Sequence, residues 1–128
     1  MLDVSLLGNH KPLKHPHTQT LQTTQTLVVK HISILVPESS VLDSITAPRY
    51  LFTAVNNFLA QAGQPPLFDV HLVGLTKEVR LHDGLFSVYA DSVIREVKKT
   101  DLIIVPALFG DLNNALALNK DFLPWIRA

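Results

Sequence analysis

Two short segments hold the polar and backbone groups that could bind a small molecule. The first, residues 37–44, follows an apolar β-branched run, and the second, residues 106–111, follows another. In open parallel sheets, ligands bind beyond the carboxyl ends of the strands, so these two loops are the expected place for a pocket. The candidate lining residues are Glu38, Asp43, Ser44, Ala107, Leu108 and Gly110. Ordinary turn and helix-capping chemistry is the competing interpretation of the same residues.

Signatures of catalysis are missing from the sequence. There is no Gly-x-Ser-x-Gly elbow, no dinucleotide fingerprint and no phosphate-binding loop motif. The chain has no cysteine, which excludes a cysteine nucleophile, thiolate zinc sites and disulfides within these residues. Of the six histidines, only His15 and His17 have ligand-like spacing, and no carboxylate supports them. We therefore expect a protein that is not an enzyme and that holds neither a metal nor a cofactor.

Composition and charge limit the remaining classes of function. The 128 residues are 47% hydrophobic and 17% charged, which is typical of one folded domain. Eleven basic residues balance eleven acidic ones, so there is no excess positive charge for binding nucleic acid. We find neither a signal-peptide pattern nor a membrane-spanning apolar stretch, so a cytoplasmic protein without membrane contact is the expectation.

The chain divides into an arm, residues 1–26, and a folded region, residues 27–128. The arm contains a threonine–glutamine run with little apolar periodicity, and we expect it to lie outside the core. In the folded region, apolar β-branched runs at residues 28–36 and 101–105 predict buried strands, and residues 68–75 predict another. A helix over residues 46–62, with Pro48 in its first turn, would connect the first two strands as a parallel crossover.

The other elements are shorter. An Asp83-Gly84 pair between two apolar segments predicts a hairpin, and residues 92–98 predict a short helix. Asp111 is expected to cap a helix over residues 113–118, before a last helix over residues 120–127. The predicted fold is α/β: a three-layer, mostly parallel, flavodoxin-like sheet with helices on both faces, incomplete, with a small β-hairpin insertion.

The long predicted helix has an apolar stripe at spacings of three and four residues. Such a stripe is expected to pack on a sheet. Its members are Leu51, Val55, Phe58, Leu59 and Ala62.

Several segments in order resemble a known family. They are residues 32–37, Ile-Ser-Ile-Leu-Val-Pro; residues 41–48, Val-Leu-Asp-Ser-Ile-Thr-Ala-Pro; residues 101–108, Asp-Leu-Ile-Ile-Val-Pro-Ala-Leu; Gly110-Asp111; residues 114–119; and residues 123–126. Together they resemble the N-terminal domain of AraC-family transcriptional regulators that have a class I glutamine amidotransferase-like (PfpI-type) fold. The resemblance covers about residues 30–127.

The resemblance implies a sensor or dimerisation domain without catalysis. The acidic position of the enzymatic family members falls on Ser44, with Asp43 one residue earlier, and their paired glycines correspond to Ala107 and Leu108. Their cysteine elbow would lie beyond Ala128, as would the DNA-binding region of the regulators, so we expect a truncated or naturally short form. The partners expected from the resemblance are a small-molecule effector and DNA, the latter only through a region absent from this chain.

Truncation before the next strand would leave residues 102–105 as an apolar sheet edge, which predicts a homo-oligomer in which the arm could add a strand. Two alternatives remain. One is a fragment of a PfpI-type hydrolase or glyoxalase-like enzyme, which a downstream nucleophile elbow would favour. The other is a plain flavodoxin-like binding module, which a bound nucleotide or flavin would favour.

Overall fold

A computed structural model of the chain describes residues 28–128. It contains one four-stranded parallel sheet in the order β5-β2-β1-β6 and a separate antiparallel hairpin, β3-β4. The strands are β1 Lys30–Val36, β2 Phe68–Gly74, β3 Glu78–Leu81, β4 Phe86–Tyr89, β5 Ser92–Val93 and β6 Leu102–Ile104, and the helices are α1 Leu42–Gln61, α2 Leu112–Leu118 and α3 Phe122–Arg127. The predicted α/β fold with a mostly parallel sheet and a small hairpin is confirmed. The predicted arm lies outside the described residues.

Strand β1 is the centre of the sheet because β2 pairs with one side and β6 with the other. Successive side chains of a strand point to opposite faces, and both faces of β1 are covered. Ile34 packs on one face with Ile45 of α1 and with Leu81 of the hairpin. Leu35 packs on the other face with Phe122 of α3. Burial on both faces explains why the end of β1, residues 34–36, is entirely apolar.

Helix α1 begins one turn earlier than predicted, at Leu42 rather than residue 46. Pro48 therefore lies inside the helix rather than in its first turn, where its missing N–H would have mattered less. Asp43 lies in the first turn, where a carboxylate interacts favourably with the helix dipole.

The prediction for the buried face of α1 is wrong. Leu51 and Phe58 are each 70% exposed, and Val55 is 39% exposed. The helix instead buries Ile45 fully and packs Phe52 against the same core cluster. Helix α1 carries apolar residues on more than one stripe, so periodicity alone identified a helix but not the stripe that meets the sheet.

A polar side chain fixes α1 against the start of β2. The Asn56 amide nitrogen donates to the Phe68 carbonyl at 2.7 Å, and the Asn56 amide oxygen accepts from the N–H groups of Leu67 and Phe68 at 3.0 and 3.1 Å. These bonds satisfy backbone groups that the sheet ladder leaves free at the strand end.

The short helix predicted over residues 92–98 is a different structure. Ser92–Val93 forms the edge strand β5, paired in parallel with Val73 and Gly74 of β2, and only Ile94–Glu96 form a single 3-10 turn. Pairing with β2 takes the first two residues out of any helix. The last helix begins at Phe122, two residues later than predicted, which places Pro124 in its first turn.

No helix within residues 28–128 combines the length and the hydropathy that crossing a bilayer would require.

Candidate functional site

The loops after β1 and β6 lie side by side beyond the carboxyl ends of these strands. Ser40 and Leu108 form an isolated antiparallel bridge. The Val41 N–H donates to the Ala107 carbonyl at 2.8 Å, and the Phe109 N–H donates to the Ser39 carbonyl at 2.7 Å. Sequence reasoning placed both loops at this edge of the sheet, and the structure joins them through backbone hydrogen bonds.

Ser44 links the start of α1 to the loop after β6. Its hydroxyl group accepts from the Ala107 N–H at 3.1 Å through its oxygen and donates its O–H to the Val41 carbonyl at 2.6 Å. The Ala107 N–H is therefore already bonded and does not point into a cavity. Asp43, its neighbour, is exposed on the first turn of α1. The geometry of Ser44 is that of a structural residue.

Asn119, at the end of α2, holds the loop after β1 in place. Its amide oxygen accepts from the Glu38 N–H and its amide nitrogen donates to the Glu38 carbonyl, both at 2.8 Å. The same nitrogen donates to the Ala115 carbonyl of its own helix, also at 2.8 Å. Asn119 is only 8% exposed, so these bonds are largely shielded from water. The Asn119 side chain thus gives the backbone of Glu38 the hydrogen bonds that a neighbouring strand would otherwise supply.

The hairpin tip completes a cleft above the two loops. Its residues His82, Asp83 and Gly84 have φ angles of +52°, +54° and +84°, the left-handed conformations that an Asp-Gly turn tolerates. The cleft has a volume of about 540 Å³, within the range of small-molecule sites. It is lined by Glu38, Ser39, Ser40, Arg80, His82, Asp83, Gly84, Phe109, Gly110 and Asp111.

Rings and charged groups give the cleft its chemistry. The His82 ring is close to two aromatic rings, with centroid distances of 5.8 Å to Phe86 and 6.2 Å to Phe109. The Arg80 guanidinium lies against Gly84, where a Cβ would be 3.3 Å from its Nη2. The lining also includes three carboxylate side chains. A cleft with a guanidinium, an imidazole and carboxylates can orient a polar ligand through directed hydrogen bonds.

One lining carboxylate already has a structural partner. The Asp111 side chain accepts from the N–H groups of Asn113 and Asn114 at 3.0 and 3.2 Å, as the predicted N-cap of α2. The Ser40 hydroxyl, which is buried, donates to the Pro37 carbonyl. Glu38 and Arg80 are exposed, and no described ion pair engages either side chain.

The six candidate residues from the sequence divide into two groups. Glu38 and Gly110 line the cleft, and Gly110 has a φ of +90° with open space where a Cβ would lie. The other four lie near the cleft without lining it: Asp43, Ser44, Ala107 and Leu108.

The contribution of the hairpin tip was not anticipated from the sequence. The Asp83-Gly84 signal predicted the turn, but a local pattern does not tell where the turn packs. Arg80 and His82 reach the cleft only because Val79, Leu81 and Val88 anchor the hairpin on the core cluster of β1. Within residues 28–128, no three histidine, aspartate or glutamate side chains are grouped as a metal site.

Comparisons with known proteins show the fold and not the family. No family model matches the chain, and no curated protein matches it. The fold is similar to that in the crystal structure of a candidate transcriptional regulator protein from Vibrio parahaemolyticus, with a TM-score of 0.62 and 17% sequence identity. The similarity covers 78% of this chain and 50% of that one, so the matched region is half of the Vibrio protein.

Proposed function

We propose that this chain is a non-catalytic, ligand-sensing or dimerisation domain of a transcriptional regulator. The observation that carries the proposal is the cleft in which the loops after β1 and β6 meet the hairpin tip. This edge is where parallel sheets bind ligands. The fold shared with the Vibrio protein supports a regulatory role.

The finer assignment is to the AraC family, with a class I glutamine amidotransferase-like, PfpI-type domain as the sensor. It is supported by the sequence segments that resemble this family. In this proposal the DNA contacts belong to another part of the regulator, because basic and acidic residues balance at 11 each and leave no excess charge for phosphates.

The proposed absence of catalysis is supported by how the backbone and hydroxyl groups near the cleft are used. An acyl-transfer site needs free N–H groups aimed at a developing oxyanion. Here the Ala107 N–H is bonded to Ser44, and the Ser40 hydroxyl is bonded to a carbonyl. These bonds argue against the alternative of a PfpI-type hydrolase or glyoxalase-like enzyme.

The sensing proposal is tested by screening small polar metabolites against the isotope-labelled chain by NMR. We expect a bound compound to shift the amide signals of Ser39, Phe109 and Gly110, which belong to the two loops. Arg80→Ala should weaken its binding by about tenfold, or roughly 1.4 kcal/mol, because a guanidinium contact would be lost.

Arg95→Ala is the matched control, since Arg95 is an exposed arginine on the 3-10 turn and does not line the cleft. It should bind like the unaltered chain. Conversion of the compound into a product would overturn the non-catalytic assignment. Binding that shifts no cleft signal, or that Arg80→Ala leaves unchanged, would remove the cleft as the sensing site.

The dimerisation part of the proposal is based on the edge strand β6. Within the described residues, β6 pairs only with β1, and Val105, which follows it, is 61% exposed. An apolar free edge favours pairing with a second chain, and a lysine there opposes it. We expect Val105→Lys to reduce self-association in size-exclusion chromatography with light scattering. Leu85→Lys, at a hairpin position that is 74% exposed, should not.

A monomeric unaltered chain at high concentration would rule out self-association through this edge. Equal loss of oligomer in both lysine variants would also count against it, because the effect would then come from charge alone.

A further inference from the structure

A second cavity lies under the sheet face that α3 covers only in part. Paired residues of parallel strands point to the same face, so His31 and Asp69 share this face with the next such pair, Ser33 and His71. Further along, the same face becomes apolar, and there α3 packs on it. On this face, the first residues of β1 and β2 therefore carry polar side chains, whereas the last residues belong to the hydrophobic core.

The chain between β5 and β6 closes this polar area into a pocket. It must pass from one edge of the sheet to the other, since β2 and β1 lie between β5 and β6. Ile94 and Val97 pack on the apolar part of the face, and Lys98 and Lys99 follow them. The pocket has a volume of about 270 Å³. Its polar lining includes His31, Ser33, His71, Ser92, Lys98 and Lys99.

The carboxylates in and around the pocket already have partners. The two oxygens of Asp69 are taken by the imidazoles on either side, 3.2 Å from His31 Nδ1 and 2.8 Å from His71 Nε2. Glu96 also lines the pocket, but its Oε2 lies 3.1 Å from the Lys77 ammonium and accepts from the Val93 N–H at 3.3 Å.

Asp101, just beyond the pocket lining, is also engaged. It accepts from the His31 N–H at 2.8 Å, and its own N–H donates to the His31 carbonyl at the same distance. These bonds hold the end of the crossover against β1 and give the pocket a fixed wall.

The two lysines of the pocket, unlike the carboxylates, have no oppositely charged partner among the described residues. Neither Lys98 nor Lys99 forms an ion pair with any residue in the range 28–128. Each histidine directs one ring nitrogen at Asp69, and its second nitrogen can donate to an anion when the imidazole carries both protons. Two ammonium groups and two imidazoles thus line a small space, and the ammonium groups have no carboxylate partner among the described residues.

We propose that this pocket binds a small organic anion, with its carboxylate or phosphate group between the two lysines and the two histidines. Ammonium groups bind such oxyanions as point charges and do not select between them, so both classes fit. Val97, which also lines the pocket, would contact a short carbon body. This site is separate from the sensing cleft and shares no lining residue with it.

The test uses the full chain, isotope-labelled, with sodium phosphate and sodium acetate as probes at a constant ionic strength of about 0.15 M, where weak surface attraction is screened. We expect saturable shifts of the Ser33 and Ser92 amide signals with at least one probe. The double variant Lys98→Ala/Lys99→Ala should raise the dissociation constant by about tenfold or more.

Lys120→Ala/Arg127→Ala, which removes the same charge from the exposed ends of the α3 region, is the matched control and should bind like the unaltered chain. Thermal unfolding midpoints would show that both variants are folded. Shifts that do not saturate with either probe, or equal weakening in both double variants, would overturn the proposal. A double lysine variant with unchanged affinity would do the same.

Discussion

Removing the Asn119 side chain is expected to loosen the loop that forms the floor of the cleft. The Asn119→Ala substitution deletes three hydrogen bonds, two to the backbone of Glu38 and one to the Ala115 carbonyl. A typical intramolecular hydrogen bond contributes about 1 kcal/mol. Glu38 is exposed, so its freed backbone groups can bond water in part. We therefore expect a loss of about 2 kcal/mol in the free energy of unfolding rather than about 3.

Urea unfolding followed by fluorescence measures this loss, because Trp125 is the single tryptophan and packs on the core cluster of Leu35. The denaturant slope should not change, since the same surface is exposed on unfolding. Asn113→Ala is the control: its side chain is exposed on the same helix, and the expected effect is within about 0.5 kcal/mol.

A second variant separates the two halves of the amide. Asn119→Asp keeps an oxygen for the Glu38 N–H but loses the donor to the Glu38 and Ala115 carbonyls. It should be at least as destabilising as alanine, because a charge is then buried beside two carbonyl oxygens. If Asn119→Ala cost no more than Asn113→Ala, the reasoning that Asn119 fixes the loop would be refuted.

Two further predictions concern the core and acid stability. Ile45→Ala should lower the free energy of unfolding by about 2–5 kcal/mol in urea, because Ile45 is 0% exposed. Leu51→Ala should lower it much less, because Leu51 is 70% exposed, and similar losses in the two variants would contradict the observed orientation of α1. The hydrogen bond from the His31 N–H is the main cause of the lowered pKa of Asp101 in the folded chain. The ionised Asp101 therefore stabilises the folded chain fully above the ordinary pKa of 3.8, and this contribution is lost as the pH falls through the lower pKa of the folded chain. The stability difference between the unaltered chain and Asp101→Asn should accordingly narrow below pH 3.8, and a difference that stays constant down to acid unfolding would count against this bond.

The sequence predicts the elements of this fold better than it predicts their contacts. Residues 34–36 of β1 are apolar on both faces and buried, as such runs indicate, whereas Leu102 of β6, which was also expected in a buried strand, is 46% exposed because β6 is a sheet edge. The Asp111 cap and the Asp83-Gly84 turn are local signals, and both are found where expected. No local pattern indicates which stripe of α1 is exposed, because the buried stripe is determined by how the helix packs on the sheet.

The candidate site shows the same limit. The two loops could be placed at one edge because parallel strands share their direction, and Glu38 and Gly110 followed from that. The hairpin tip was not expected there, because its position depends on long-range packing of Val79 and Leu81. No local pattern singles out Asn119, because its contacts with Glu38 join residues 81 positions apart in the chain.

The side chains of β1 alternate between two hydrophobic clusters, and this couples the unfolding of one cluster to that of the other. Ile34 belongs to one hydrophobic cluster and Leu35, the next residue, to the other, so neither cluster can open while the other keeps β1 in place. The two clusters should therefore unfold together in one cooperative transition. The amide protons of residues 32–34, which are flanked by paired strands on both sides, should be among the last to exchange with heavy water.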